Sequence, residues 1–175
     1  MGCGCKKGKL TLMADHSKAD GNPDVWGPAV WSIFHIIACR IGKSGVDTDQ
    51  IREMEFVLGH LPTILPCPTC QGHMRTYLVT SPFRCDKLRG EELCDYARTW
   101  MMNFHNAVRG SKGQPLDIST LEKYGELYAS ESIQECHINT LVGNVTYGIR
   151  NGIVKVDAWK RWVPHFNRLK VMVGQ

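Results

Sequence analysis

The sequence predicts an all-α protein whose C-terminal end, residues 133–175, is an extension of open structure. Three observations carry that prediction. Apolar side chains recur at three- and four-residue steps in five successive stretches between residues 25 and 130, the spacing of amphipathic helices. Gly, Pro, Ser and Asp gather in the gaps between them, at 42–49, 81–82 and 110–115, where helices stop and turns form. A chain of 175 residues that is 43% hydrophobic and 22% charged has the make-up of one globular domain with a real core.

Organised structure is expected to begin at Pro23-Asp24-Val25-Trp26-Gly27-Pro28, and the first helix follows through Trp31, Phe34, His35, Ala38 and Cys39. Asp49 can cap a second helix over about 50–61, with Ile51, Met54, Val57, Leu58 and Leu61 as its apolar stripe. Pro66 and Pro68 suit the first turn of a third helix, which carries Cys70, Met74, Tyr77 and Leu78 and ends at Ser81-Pro82. A fourth, about 89–109, runs through Leu93, Ala97, Trp100, Met101, Phe104, His105 and Val108. A fifth, about 119–130, uses Leu121, Tyr124, Leu127 and Tyr128. In the tail, Val145 to Ile149 and Ile153 to Val156 flank Asn151-Gly152, which reads as a hairpin. Asp157 then caps a last helix through Trp159, Trp162 and Phe166, with Pro164 at odds with its start or straightness.

Residues 1–24 are rich in Gly, Lys, Asp and Asn and read as a flexible arm ahead of a helical domain at 25–132. The net charge of +4 comes from scattered basic residues, which read as solvated surface and predict no nucleic-acid partner. No apolar run reaches the length of a membrane span, and the N-terminus lacks the apolar stretch of a signal peptide. Membrane contact is expected only if Met1-Gly2-Cys3 is lipidated, although Lys6 stands where that signal prefers Ser or Thr. The compartment stays open, with cytoplasmic, viral and organellar settings all compatible.

Eight cysteines without a secretion signal point to metal or redox chemistry rather than to a disulfide scaffold. The pair Cys67-Pro68-Thr69-Cys70, with His73 one turn on, opens a helix. There the dipole and the unpaired amide N–H groups stabilise a thiolate, so the pair suits thiol–disulfide exchange. Cys3-Gly4-Cys5 is a second closely spaced pair. Zinc sites use the same spacing, so the alternatives are a zinc-binding interaction module with Cys67, Cys70 and His73 as ligands, or a flavin-free thiol–disulfide exchanger. Cys39 and Cys136 read as core thiols, and Cys85 and Cys94 as a local disulfide or two buried thiols. Making new disulfides needs an electron acceptor that side chains do not supply, such as a flavin. Trp31 with His35 on one helix, and Trp100, His105, Asn106 and Arg109 on another, offer flat rings, hydrogen-bonding groups and a cation for such a cofactor.

Three segments in order resemble the FAD-linked sulfhydryl oxidases of the Erv/ALR family. Gly27 to Ala38 is similar to the family's Gly-x-x-x-Trp-x-x-Leu-His-x-x-Ala, with Phe34 for Leu. Cys67-Pro68-Thr69-Cys70 resembles its active dithiol, and Trp100 to Val108 its Trp-x-Cys-x-x-His-Asn-x-Val. The likeness covers about 24–128 and implies a flavin-holding four-helix bundle with a short fifth helix, commonly a homodimer. It departs at Arg109, where Asn is usual, and at Gln114, where Lys is. Met102 and Ile118 stand in place of two cysteines that form a structural disulfide, and Ile41 and Gly42 also differ.

The resemblance implies a thiol oxidase that takes electrons from protein dithiols. Cys3 and Cys5 would act as a shuttle to Cys67, and Cys70, nearest the flavin, would pass the pair to it; molecular oxygen would reoxidise the flavin, giving hydrogen peroxide. Trp31, His35, His73, Trp100, His105, Asn106 and Arg109 would hold FAD, with no metal.

Overall fold

The computed structural model describes residues 19–116 and 118–175, and every regular element among them is helical. Seven α-helices follow in order: α1 Pro23–Arg40, α2 Asp47–His60, α3 Pro68–Thr80, α4 Gly90–Ser111, α5 Leu121–Tyr128, α6 Glu135–Arg150 and α7 Val156–Met172. A 3₁₀ turn, Leu61–Thr63, prolongs α2 toward the dithiol. No helix among the described residues is long and apolar enough to cross a membrane.

α1 starts where Asn22 accepts the Asp24 N–H at 2.9 Å, a side-chain N-cap. Its buried residues, from Trp26 through Cys39, lie all around the helix, as expected of a helix packed on every side. α4, α5 and α6 pack against it, while α7 packs against α2. α3 meets α4 through Tyr77, whose ring lies 5.5 Å from Trp100 and 4.8 Å from Phe104. One apolar core runs from Trp26 to Val173 and takes in both the five-helix region and α6–α7.

The expected hairpin is absent. Residues 145–150 complete α6 and residue 156 opens α7. Val145, Thr146 and Ile149 favour strands locally, but Leu141, Val145 and Gly148 fall on one helical face and are buried. Burial against α1 overrides a weak β-preference. Asn151-Gly152 stops a helix instead of turning a hairpin: Gly152 has φ +70°, and the Ile153 N–H returns to the Gly148 carbonyl at 2.8 Å.

Smaller differences also have causes. α2 begins at Asp47, not after Asp49, because the Asp47 carboxylate is held by the Gly90 N–H at 2.7 Å; Asp49 pairs with Arg52 within the first turn. Asp157 likewise sits inside the first turn of α7, whose N-cap is Lys155, and Pro164 is accommodated inside that helix. Cys39, Cys85 and Cys94 are buried free thiols. Cys136 is disulfide-bonded and half-buried, so it is not the core thiol expected. The arm's Cys3 and Cys5, and with them the shuttle and lipidation readings, lie outside the described residues.

Candidate functional site

Cys67 is the N-cap of α3. Its backbone is extended, its sulfur accepts the Cys70 N–H at 3.1 Å, and Pro68 at the next position sacrifices no helical hydrogen bond. Cys67 and Cys70 are joined in a disulfide with their Cα atoms 5.2 Å apart. Pro68 and Thr69 between them are exposed, while each cysteine is half-buried. A thiol arriving from solvent therefore meets this bond at the helix N-terminus, where a released thiolate is stabilised by amide N–H groups and the dipole.

Cys70 also lines an apolar cavity of about 90 Å³ between α1, α3 and α4, along with Val30, Trp31, Phe34, His73, Met74, Met101 and Phe104. Buried Leu58 and Leu65 line it too, as do Val108 and Lys112 from the C-terminal end of α4. The donor set suits a flat, mostly apolar ring that must approach a disulfide: planar side chains, a sulfur wall, and one cation at the rim. The void is smaller than a tricyclic ring needs. Among its lining groups His73 and Lys112 are exposed and Trp31 is half-buried.

Behind Trp31 lies a ring cluster. Its indole stacks on His105 at 4.3 Å and 12° and on His35 at 5.9 Å and 28°. His35 stacks in turn on Tyr128 at 4.5 Å. His35 is wholly buried, with Nε2 2.9 Å from His105 Nδ1 and Nδ1 2.7 Å from the Tyr124 hydroxyl. Tyr124 also reaches the His35 carbonyl at 3.3 Å. All three contacts are used when Tyr124 donates to that carbonyl, His35 Nδ1–H donates to Tyr124, and His105 Nδ1–H donates to His35 Nε2. Burial, and next the neighbouring His105, push the His35 pKa well below its ordinary value, so it stays neutral.

The remaining expected residues are placed differently. Trp100 stands one layer behind Phe104, T-stacked on Tyr77 and Phe83, and donates Nε1–H to the Ser81 carbonyl at 2.9 Å, which fixes the end of α3. Asn106 donates to the Ile118 carbonyl at 2.7 Å and Arg109 to the Pro115 carbonyl at 2.7 Å. Both thereby anchor the loop that leads to α5, and half-buried Arg109 already spends its Nε–H there. Cys67 and Cys70 are bonded to each other. Among the described residues no three His, Cys, Asp or Glu side chains gather as metal ligands.

Sequence reasoning placed Tyr124, Tyr128, Phe104 and Met74 in helix stripes but not at the site. Their only signal is the four-residue step each makes from a neighbour: Tyr124 to Tyr128, Trp100 to Phe104 and Cys70 to Met74. Lys112 sits in a turn, where no periodicity marks it.

The Erv1 / Alr family model matches residues 28–126. The "Putative FAD-linked sulfhydryl oxidase 347L" of Invertebrate iridescent virus 6 is 27% identical over 103 residues, 55% of this chain and 87% of that protein. The "FAD-linked sulfhydryl oxidase" of African swine fever virus (isolate Pig/Kenya/KEN-50/1950) is 28% identical over 83 residues, 47% of this chain and 64% of that protein. The "Probable FAD-linked sulfhydryl oxidase OPG072" of Vaccinia virus (strain Copenhagen) is 24% identical over 101 residues, 58% of this chain and 97% of that protein. No solved structure matches the chain.

Proposed function

The chain belongs to the Erv1/Alr family, and from that premise we propose that it is an FAD-linked thiol oxidase that makes disulfides in protein dithiols. The observation that carries the proposal is a disulfide with one sulfur at an exposed helix N-terminus and the other on the wall of an apolar, ring-lined cavity.

The reaction starts when a substrate thiolate attacks Cys67 Sγ and forms a mixed disulfide, with Cys70 leaving as thiolate. The second substrate thiol attacks the mixed disulfide and releases Cys67, whose sulfur is met by the Cys70 N–H. Two substrate thiols have then lost two electrons and two protons, and the Cys67–Cys70 bond has been reduced to a dithiol. FAD, when bound beside Cys70, would supply the two-electron chemistry that side chains lack, with oxygen as the final acceptor and hydrogen peroxide as the product.

In this reading Trp31 and His73 border the ring beside Cys70. His105, stacked behind Trp31, serves the adenine side and Lys112 a phosphate, while His35 holds His105 in place and Asn106 and Arg109 hold the loop to α5. Trp100 acts through Phe104, which it backs. Cys3 and Cys5 are proposed to deliver electrons to Cys67.

The test is a visible spectrum joined to oxygen consumption with a small dithiol. Purified protein is expected to carry flavin absorbance and to consume oxygen. Cys67→Ser and Cys70→Ser are expected to keep the flavin and lose at least about a hundredfold in turnover, because neither can complete the exchange. A colourless protein that gains no flavin on refolding, or a Cys70→Ser variant as active as its parent, overturns the reading.

A further inference from the structure

The helices α6 and α7 lie outside residues 28–126, yet they reach the dithiol. Gln71, the residue after Cys70, is buried. Its amide nitrogen donates to the Leu65 carbonyl at 2.8 Å and to the Ile153 carbonyl at 3.4 Å, and its oxygen accepts from Arg75 at 3.1 Å. One side chain thus ties the strand of backbone before the dithiol, the helix that carries it, and the turn between α6 and α7.

A second contact joins the same parts. Gly148 of α6 is packed so closely that a Cβ there would lie 3.2 Å from Pro66 Cβ and 3.3 Å from Pro66 Cα. Pro66 is the residue before Cys67, and proline has little freedom to yield. The α6–α7 turn is itself fixed, since the Ile153 and Val154 N–H groups both return to the Gly148 carbonyl. From the other side, the Gly21 N–H is held by Asn144 of α6 at 3.2 Å, and a Cβ on Gly21 would lie 3.2 Å from the Pro66 carbonyl oxygen.

We propose that α6–α7 is a built part of the redox site, with Gln71 and Gly148 as positioning residues that set how Cys67 is presented to an incoming thiol and where Cys70 stands on the cavity wall. The chemistry at that dithiol rests on the thiol-oxidase reading. The positioning itself is a property of the disulfide and is measurable without flavin.

Gly148→Ala alone confounds two effects, because the new methyl would also meet Val154 Cγ2 at 2.7 Å. The pair Gly148→Ala with Val154→Ala removes that second clash and keeps the one on Pro66. Gln71→Met keeps the side-chain volume and deletes the donor to both carbonyls.

The experiment equilibrates each full-length variant with glutathione buffers and reads the Cys67–Cys70 state by thiol labelling and peptide mapping. Thermal midpoint and small-dithiol kinetics are measured alongside. Relative to Val154→Ala, the double variant is expected to shift the dithiol–disulfide equilibrium at least about threefold and lower kcat several-fold with little change in KM. Gln71→Met is expected to shift the same equilibrium. A lower thermal midpoint with equilibrium and kcat unchanged in both variants means ordinary packing and overturns the proposal. Parent protein that binds no flavin and uses no oxygen would instead defeat the oxidase reading, and the glutathione equilibria would still decide this one.

Discussion

The cysteines of this chain differ in reactivity because their surroundings differ. Cys67 caps a helix in reach of solvent. Cys39 and Cys85 are sealed in the core, and burial pushes their thiols up to about 11 and about 12, so neither ionises near neutrality. Cys94 is raised by burial too, and its sulfur lies against the Ala38 and Cys39 carbonyls. His35 follows the same physics with the opposite sign. Its folded pKa is depressed below the ordinary 6.5, so the unfolded chain binds a proton that the folded one refuses. The stability this group contributes is complete above 6.5 and is lost as the pH falls from there through the folded pKa. Buried His137 is shifted the same way, by burial. Denaturation midpoints are therefore expected to drop as the pH falls below about 6.5, and more steeply in the parent than in His35→Gln. Parallel pH profiles for the two proteins would refute this account of His35.

Among the elements, α7 does more than extend the chain. Trp162 is wholly buried, donates Nε1–H to the Val57 carbonyl at 3.0 Å, and stacks on Phe166 at 4.7 Å. Glu53 of α2, also buried, bonds His165 at 2.7 Å and Arg168 at 3.2 Å. Burial alone would raise the Glu53 pKa; the hydrogen bonds from Arg168 and His165 outweigh it and hold the carboxyl below its ordinary value. Trp162→Ala is expected to cost about 3–5 kcal/mol, the range for emptying a buried aromatic site, as read from chemical denaturation. A loss under about 1 kcal/mol would show that α7 only rests on α2.

Taken whole, the molecule is a family module at residues 28–126 completed by two helices of its own. α1 is buried on all sides only because α6 covers the face that α4 and α5 leave open. A chain ended at residue 132 would uncover apolar surface on both α1 and α2. It is expected to bind a hydrophobic dye and to lose its cooperative thermal transition. An unchanged transition midpoint would mean that the module folds without its extension.

The helices of the module are legible because each keeps a period near 3.6, and breakers mark several of their ends, as Pro68 does at the start of α3 and Ser81-Pro82 after it. The dithiol was legible for the same reason: its helix-opening position is local. α6 is not legible in the sequence because Val, Thr and Ile favour strands unless a partner buries one helical face, and that partner, α1, lies about a hundred residues away in sequence.

The sequence by itself therefore determined the all-helical module, the Cys67–Cys70 pair and the Trp–His helices, all of which rest on short-range spacing. Only the tertiary structure decided that Trp100 backs the cavity instead of lining it, that Asn106 and Arg109 pin a loop, and that Gln71 and Gly148 bind the extension to the dithiol. Those outcomes depend on which distant backbone carbonyl or proline ring arrives beside a side chain, and no local pattern encodes that.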